Sequence, residues 1–102
     1  MIDKELLELA AKATGIDLQY ADDEGLLPYN GSTNADWNPL TDDGDALRLA
    51  VKLRLHVSVF ADAIGIGAPG YGYIETKWID DPYAATRRAI VRAAAELGKA
   101  MK

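Results

Sequence analysis

The chain predicts an α+β fold with three helices and a mainly antiparallel four-stranded sheet, in the order α-ββ-α-ββ-α. Three observations predict it. Apolar residues recur at helical spacing in three separate stretches. Two pairs of short segments alternate apolar with polar residues, as half-buried strands do. Turn residues separate the members of each pair, which favours hairpins and hence antiparallel pairing. Three amphipathic helices suffice to cover one face of such a sheet, or both.

The first helix is read over residues 3–14, "DKELLELAAKAT", with Ile2, Leu6, Leu9, Ala10 and Ala13 as its apolar stripe. Asp3 is the expected N-cap and Gly15 the expected stop. "IDLQY" alternates as a strand, "ADDEG" turns, and "LLPY" returns as a second strand that Pro28 confines to an edge or a bulge. "NGSTNAD" follows as a surface loop. The second helix starts near Asp43, with Leu47, Ala50, Val51 and Leu53 as its stripe; few of its positions are polar, so deep burial is expected. "HVSVF" and "YGYIETKW" are the next two strands, and "ADAIGIGAPG" between them is read as a long hairpin loop. The last helix begins with Asp81 as N-cap and Pro82 at its first position, where the missing N–H costs nothing. Tyr83, Ile90, Ala94, Leu97 and Met101 form its expected stripe.

Composition bounds the function. At 102 residues the chain fits a single domain, 1–102, and 49% hydrophobic with 26% charged residues is ordinary for a folded globular protein. With no cysteine, disulfides, thiolate metal sites and cysteine nucleophiles are excluded. No apolar run approaches the ~20 residues of a spanning helix, and the N-terminus is acidic where a signal peptide would be basic, so a cytoplasmic protein without a membrane partner is expected. The net charge of −5 is unevenly divided. Residues 1–46 hold 11 carboxylates against Lys4 and Lys12, and residues 47–102 hold nine Lys or Arg against five carboxylates. The halves are therefore suited to attract each other, within one molecule or between two. An acidic protein has no general pull on nucleic acid, so nucleic acid is not an expected partner.

The motifs that would carry chemistry all have plainer explanations. "GIGAPG" at 65–70 matches G-x-G-x-x-G, but a strand follows where a pyrophosphate site needs a helix. Asp42, Asp43 and Asp45 around Gly44 have carboxylates enough for a hard cation, yet they sit where a helix start wants them. His56 is the only histidine, and Ser58, two residues along the same strand, lies roughly 7 Å away at Cβ, too far for a direct nucleophile–base bond. No catalytic residues, cofactor or metal ligands are assigned. Arg87, Arg88 and Arg92 cluster on the last helix, either as a solvated face with an Arg92–Glu96 pair or as a surface for an anionic partner. Trp37 follows a loop and is a candidate hot spot if exposed.

"MIDKELLELAAKATGI", "WNPLTDDGDALRLAVKL" and "DPYAATRRAIVRAAAELG" together resemble the phage ABA sandwich domain family of small phage and prophage proteins. The blocks fall at the start, middle and end of the chain, while residues 19–36 and 61–77 show no match. The resemblance implies an α/β/α sandwich and a phage or prophage product in the bacterial host cytoplasm, and it brings no catalytic residues.

The expected function is thus a small non-enzymatic domain that binds a host or phage protein, or itself. The candidate surfaces are Trp37, Asp42, Asp43 and Asp45, the loops at 21–36 and 61–70, and Arg87, Arg88 and Arg92. A small-molecule or nucleotide-binding module using residues 65–72 near Arg87 and Arg88 is the alternative, and an acidic DNA mimic built from the carboxylates of residues 17–45 is a third.

Overall fold

A computed structural model of the chain describes residues 3–15, 18–21, 25–28, 37–68, 72–77 and 81–101. Its elements run α1 (Asp3–Thr14), β1 (Leu18–Ala21), β2 (Gly25–Pro28), α2 (Asp43–Leu53), β3 (His56–Val59), β4 (Ala63–Ala68), β5 (Gly72–Lys77) and α3 (Pro82–Ala100). The class is α+β with three helices and antiparallel strands, in the order expected, and one strand more than expected. β1 and β2 form a hairpin of their own, and β3-β4-β5 form a three-stranded antiparallel meander. Trp78 at the end of an expected strand and the expected surface loop, 30–36, lie outside the described residues.

The helix starts follow local rules. Asp42 caps α2 by accepting the Asp45 N–H at 2.8 Å, and Asp81 caps α3 by accepting from the N–H groups of Tyr83 and Ala84 at 2.9 and 3.3 Å. Each satisfies donors that the first turn leaves without a helical partner. α1 ends at Gly15, whose φ of +78° suits glycine. α2 ends instead on Arg54 at φ 57°, a left-handed position that glycine occupies more cheaply.

The extra strand is β4. Residues 61–70 were expected to be loop, but only Phe60, Ala61 and Asp62 connect β3 to β4, and residues 63–68 are the central strand of the meander. Gly65 and Gly67 sit in a strand because a neighbour occupies the space a side chain would fill. A Cβ on Gly65 would overlap the Tyr73 ring, and one on Gly67 would lie 3.3 Å from the His56 Cβ. On the opposite face of the same strand Ile64 and Ile66 are 1% and 2% exposed, so the alternation is real although glycine hides it.

The core lies between the helices and that face of the meander. Leu6, Leu7, Ala10 and Ala11 of α1, Leu49 and Ala50 of α2, and Ile64 and Ile66 of β4 gather around α3 in a single buried cluster, joined by Trp37. The helices touch one another, and α3 also lies on β4, so the described residues show one helical layer on one sheet face. The other face carries His56, Tyr73, Glu75 and Lys77, all exposed.

α1 and α3 approach so closely that a Cβ on Gly98 would overlap the Leu9 carbonyl oxygen and sit 2.8 Å from its carbon. Gly98→Ala should therefore destabilise the fold by roughly 1–3 kcal/mol in urea unfolding, opposite in sign to the ~1 kcal/mol gain that helix propensity alone would give.

Candidate functional site

The sequence places the aspartate knot at the start of α2, and the structure accounts for each carboxylate there. Asp42 is the cap. Asp45, with its side chain only 13% exposed, accepts from the Asn38 N–H at 3.0 Å and from Arg48 Nη2 at 2.7 Å. Asp43 reaches across to α3 and pairs with Arg87 Nη1 at 2.6 Å. Arg87 also donates through Nε to the Leu40 carbonyl at 2.9 Å, so one guanidinium ties both the 38–41 turn and α2 to α3.

The other candidates are dispersed. Arg88 pairs with Asp3 at 3.0 Å, and Arg92 is exposed without an Arg92–Glu96 ion pair among the described residues. The Arg87–Asp43 and Arg88–Asp3 bridges both join the acidic and basic halves inside one molecule. Trp37 is 7% exposed and belongs to the core, so it is no surface anchor. Gly65 and Gly67 lie within β4, so residues 65–68 offer no loop to cradle a phosphate. His56 is exposed on the meander's outer face, with Ser58 beside it on β3.

What the structure brings together is different. A half-open groove of about 590 Å³ runs between α2, the start of α3 and β3, and Leu47, Val57, Val59, Phe60, Tyr83 and Ile90 give it an apolar wall. The Arg87–Asp43 pair stands at its polar end. Several of the large side chains around it lie open to solvent: Leu47 is 64% exposed, Val59 67%, Phe60 45% and Tyr83 70%. Val51, one turn beyond Leu47, is 68% exposed as well.

This site contradicts two helix stripes drawn from periodicity. Leu47 and Val51 were expected in the core, as was Tyr83, with Met101 at the far end of its stripe; the core takes Ala46, Leu49 and Ala50 from α2, and Ile90, Val91, Ala93, Ala94, Ala95 and Gly98 from α3. α2 is apolar over more than one arc, and only the arc with Leu49 faces α3. In α1 the buried stripe is Leu6, Leu7, Ala10 and Ala11, with Leu9 half-buried at its margin. The available signal was the scarcity of polar positions on α2, since a helix packed on one side needs a polar opposite side.

Compared with models of protein families, with curated proteins and with solved structures, the chain matches none.

Because Leu47 is exposed and Leu49 is 3% exposed, their truncation separates surface from core. Leu49→Ala should cost roughly 2–4 kcal/mol in urea unfolding, whereas Leu47→Ser should stay within about 0.5 kcal/mol of the parent. Arg87→Ala removes the tie to the Leu40 carbonyl and to Asp43, and its expected cost of roughly 1–3 kcal/mol should exceed that of Asp43→Ala, whose carboxylate is 72% exposed. Both are read from denaturant midpoints.

Proposed function

We propose that this chain is a small non-enzymatic domain that acts by binding a polypeptide, another protein or another copy of itself, through the apolar groove between α2, α3 and β3. The carrying observation is the cluster of Leu47, Val59, Phe60 and Tyr83 around one groove, all large and all exposed. Scattered apolar residues on a surface are ordinary, but a contiguous patch beside a cleft is where proteins dock. Tyr and Phe suit such a site, since they cover much area at little cost in side-chain freedom. A non-enzymatic role is supported by the occupation of Asp42, Asp43, Asp45, Arg48 and Arg87 in a cap and ion pairs, which among the described residues leaves no nucleophile, base and orienting group converging in the groove.

The resemblance of the "WNPLTDDGDALRLAVKL" and "DPYAATRRAIVRAAAELG" blocks to phage ABA sandwich domains supports a phage or prophage accessory protein working in a bacterial cytoplasm. No helix of the described residues is long and apolar enough to cross a membrane. An acidic DNA mimic is disfavoured, because Asp42, Asp43 and Asp45 are engaged by a helix start and by Arg48 and Arg87.

A second reading has its own support. The groove volume lies within the ~300–1,000 Å³ typical of small-molecule sites. An apolar ligand held there at about 100 times its Kd would raise stability by about 2.7 kcal/mol, visible as a thermal shift that Leu47→Asp removes.

For the leading reading, a photo-crosslinking amino acid is placed at Leu47 or Tyr83 in the chain expressed in bacteria, with Lys99, exposed near the end of α3, as control. Discrete protein adducts from Leu47 and Tyr83, absent from Lys99, are expected. A groove that yields no adduct, or no more than Lys99 does, overturns the proposal.

A further inference from the structure

We infer that the groove takes a basic amphipathic helix of a partner protein, its apolar side chains seated between α2, α3 and β3 and its lysines or arginines set against Asp43, Asp62 and Asp81. The inference rests on the groove being a protein-binding surface and names the chemistry of its occupant.

The groove wall decides the form of the occupant's backbone. Apart from Asp43 and Arg87, the lining side chains carry polar groups only in the hydroxyls of Tyr83 and Thr86. The Thr86 hydroxyl donates to the Pro82 carbonyl at 2.7 Å, and Arg87 holds the Leu40 carbonyl and Asp43. An extended chain laid over Leu47, Val57, Phe60 and Ile90 would press main-chain N–H and C=O groups against side chains that cannot bond them, at a cost that offsets the burial. A helix arrives with those groups already bonded and offers the wall side chains alone, which is how amphipathic helices enter apolar grooves. Ala46 and Ala50, four apart on α2 and almost wholly buried, make a low floor, while Leu47, Phe60 and Tyr83 are exposed above it.

Charge decides which helix fits. At about 100° per residue, the side of α2 that carries Asp43, Ala46, Leu47 and Ala50 lies opposite Arg48 and Lys52. The side of α3 that carries Tyr83, Thr86, Arg87 and Ile90 likewise lies opposite Arg88 and Arg92. These four cations therefore point away from the groove. Arg87 faces it, but its side chain is only 17% exposed and is engaged by two acceptors, whereas Asp43 is 72% exposed. Asp62 and Asp81, both exposed, adjoin the lining residues Ala61 and Pro82 in the chain. Arg54 is exposed too, but it lies a turn beyond Ala50, the last lining residue of α2. Among the described residues the groove is thus bordered by three exposed carboxylates and faced by one cation that is mostly covered. Such a border repels an acidic segment and attracts a basic one. The apolar wall would accept either, so the carboxylates supply selection and the wall supplies burial.

The test uses the full chain and two labelled synthetic peptides of about 18 residues, long enough to be helical when bound. Both carry leucine at helical spacing; one has lysine at the flanking positions and the other glutamate. Fluorescence anisotropy should give a Kd at least about tenfold lower for the lysine peptide. Asp43→Asn, Asp62→Asn and Asp81→Asn combined should erase that difference; asparagine caps a helix as well as aspartate does, so the start of α3 is kept, and circular dichroism checks the fold. Leu47→Ser retains every charge and should weaken the lysine peptide roughly tenfold, which separates seating in the groove from adhesion to an acidic surface. Three outcomes overturn the inference: a glutamate peptide that binds as tightly, a lysine preference that survives the three asparagines, or a lysine peptide indifferent to Leu47→Ser. If both peptides bind equally and both depend on Leu47, the groove remains a protein site and only the basic partner falls. If neither peptide binds, the inference falls, and the proposed function is decided separately by the adducts from Leu47 and Tyr83.

Discussion

The burial of the middle of α3 on every side but that of Arg88 and Arg92 is the constraint on which the remaining structure depends. Val91, Ala93, Ala94 and Ala95 are all at most 3% exposed, which a helix lying on a surface could not achieve. α1, α2 and β4 surround it. Small residues make this possible: alanine leaves the helix thin, and Gly98 lets the α1 backbone at Leu9 approach nearer than any side chain would allow. Close backbone approach compensates for the modest apolar area that each alanine buries. The arrangement leaves little room for substitution, because a methyl group added at the crossing meets backbone, which has nowhere to move.

Electrostatics then fixes the outer elements to α3 without being the source of stability. Arg87 and Arg88 lie next to each other on the helix but diverge, one to Asp43 and the Leu40 carbonyl, the other to Asp3 at the start of α1. Two carboxylates of the acidic half are thereby paired with the basic half inside the molecule. Exposed pairs of this kind contribute at most about 1 kcal/mol each, so their role is to set the rotation of α1 and α2 about the central helix. Arg87 is the exception in part, because its side chain is only 17% exposed and it satisfies a backbone carbonyl as well.

The helices were legible in the sequence because their signals are local. A cap, a first-position proline and a glycine stop act within a few residues, and Asp42, Asp81, Pro82 and Gly15 all stand where those rules put them. β4 was not legible, because Gly65 and Gly67 owe their presence to Tyr73 and His56, which are distant in sequence or on another strand. A glycine required by a cross-strand neighbour looks the same as one required by a turn. The candidate site failed to show for a related reason. Periodicity finds an apolar arc on α2 but does not say which part of it another element will cover, and Leu47 and Leu49 differ only in that respect.

That difference bears on function through a simple comparison of sizes. The chain fills much of its interior with alanine and glycine while leaving Leu47, Val51, Val59, Phe60 and Tyr83 in water. Stability alone favours the reverse, since a buried leucine contributes far more than a buried alanine, and a small domain has little apolar area to spare. Leu47, Val59, Phe60 and Tyr83 are not scattered but surround one groove, with Val57 in its wall, so the area left in water is gathered where a single partner could cover it.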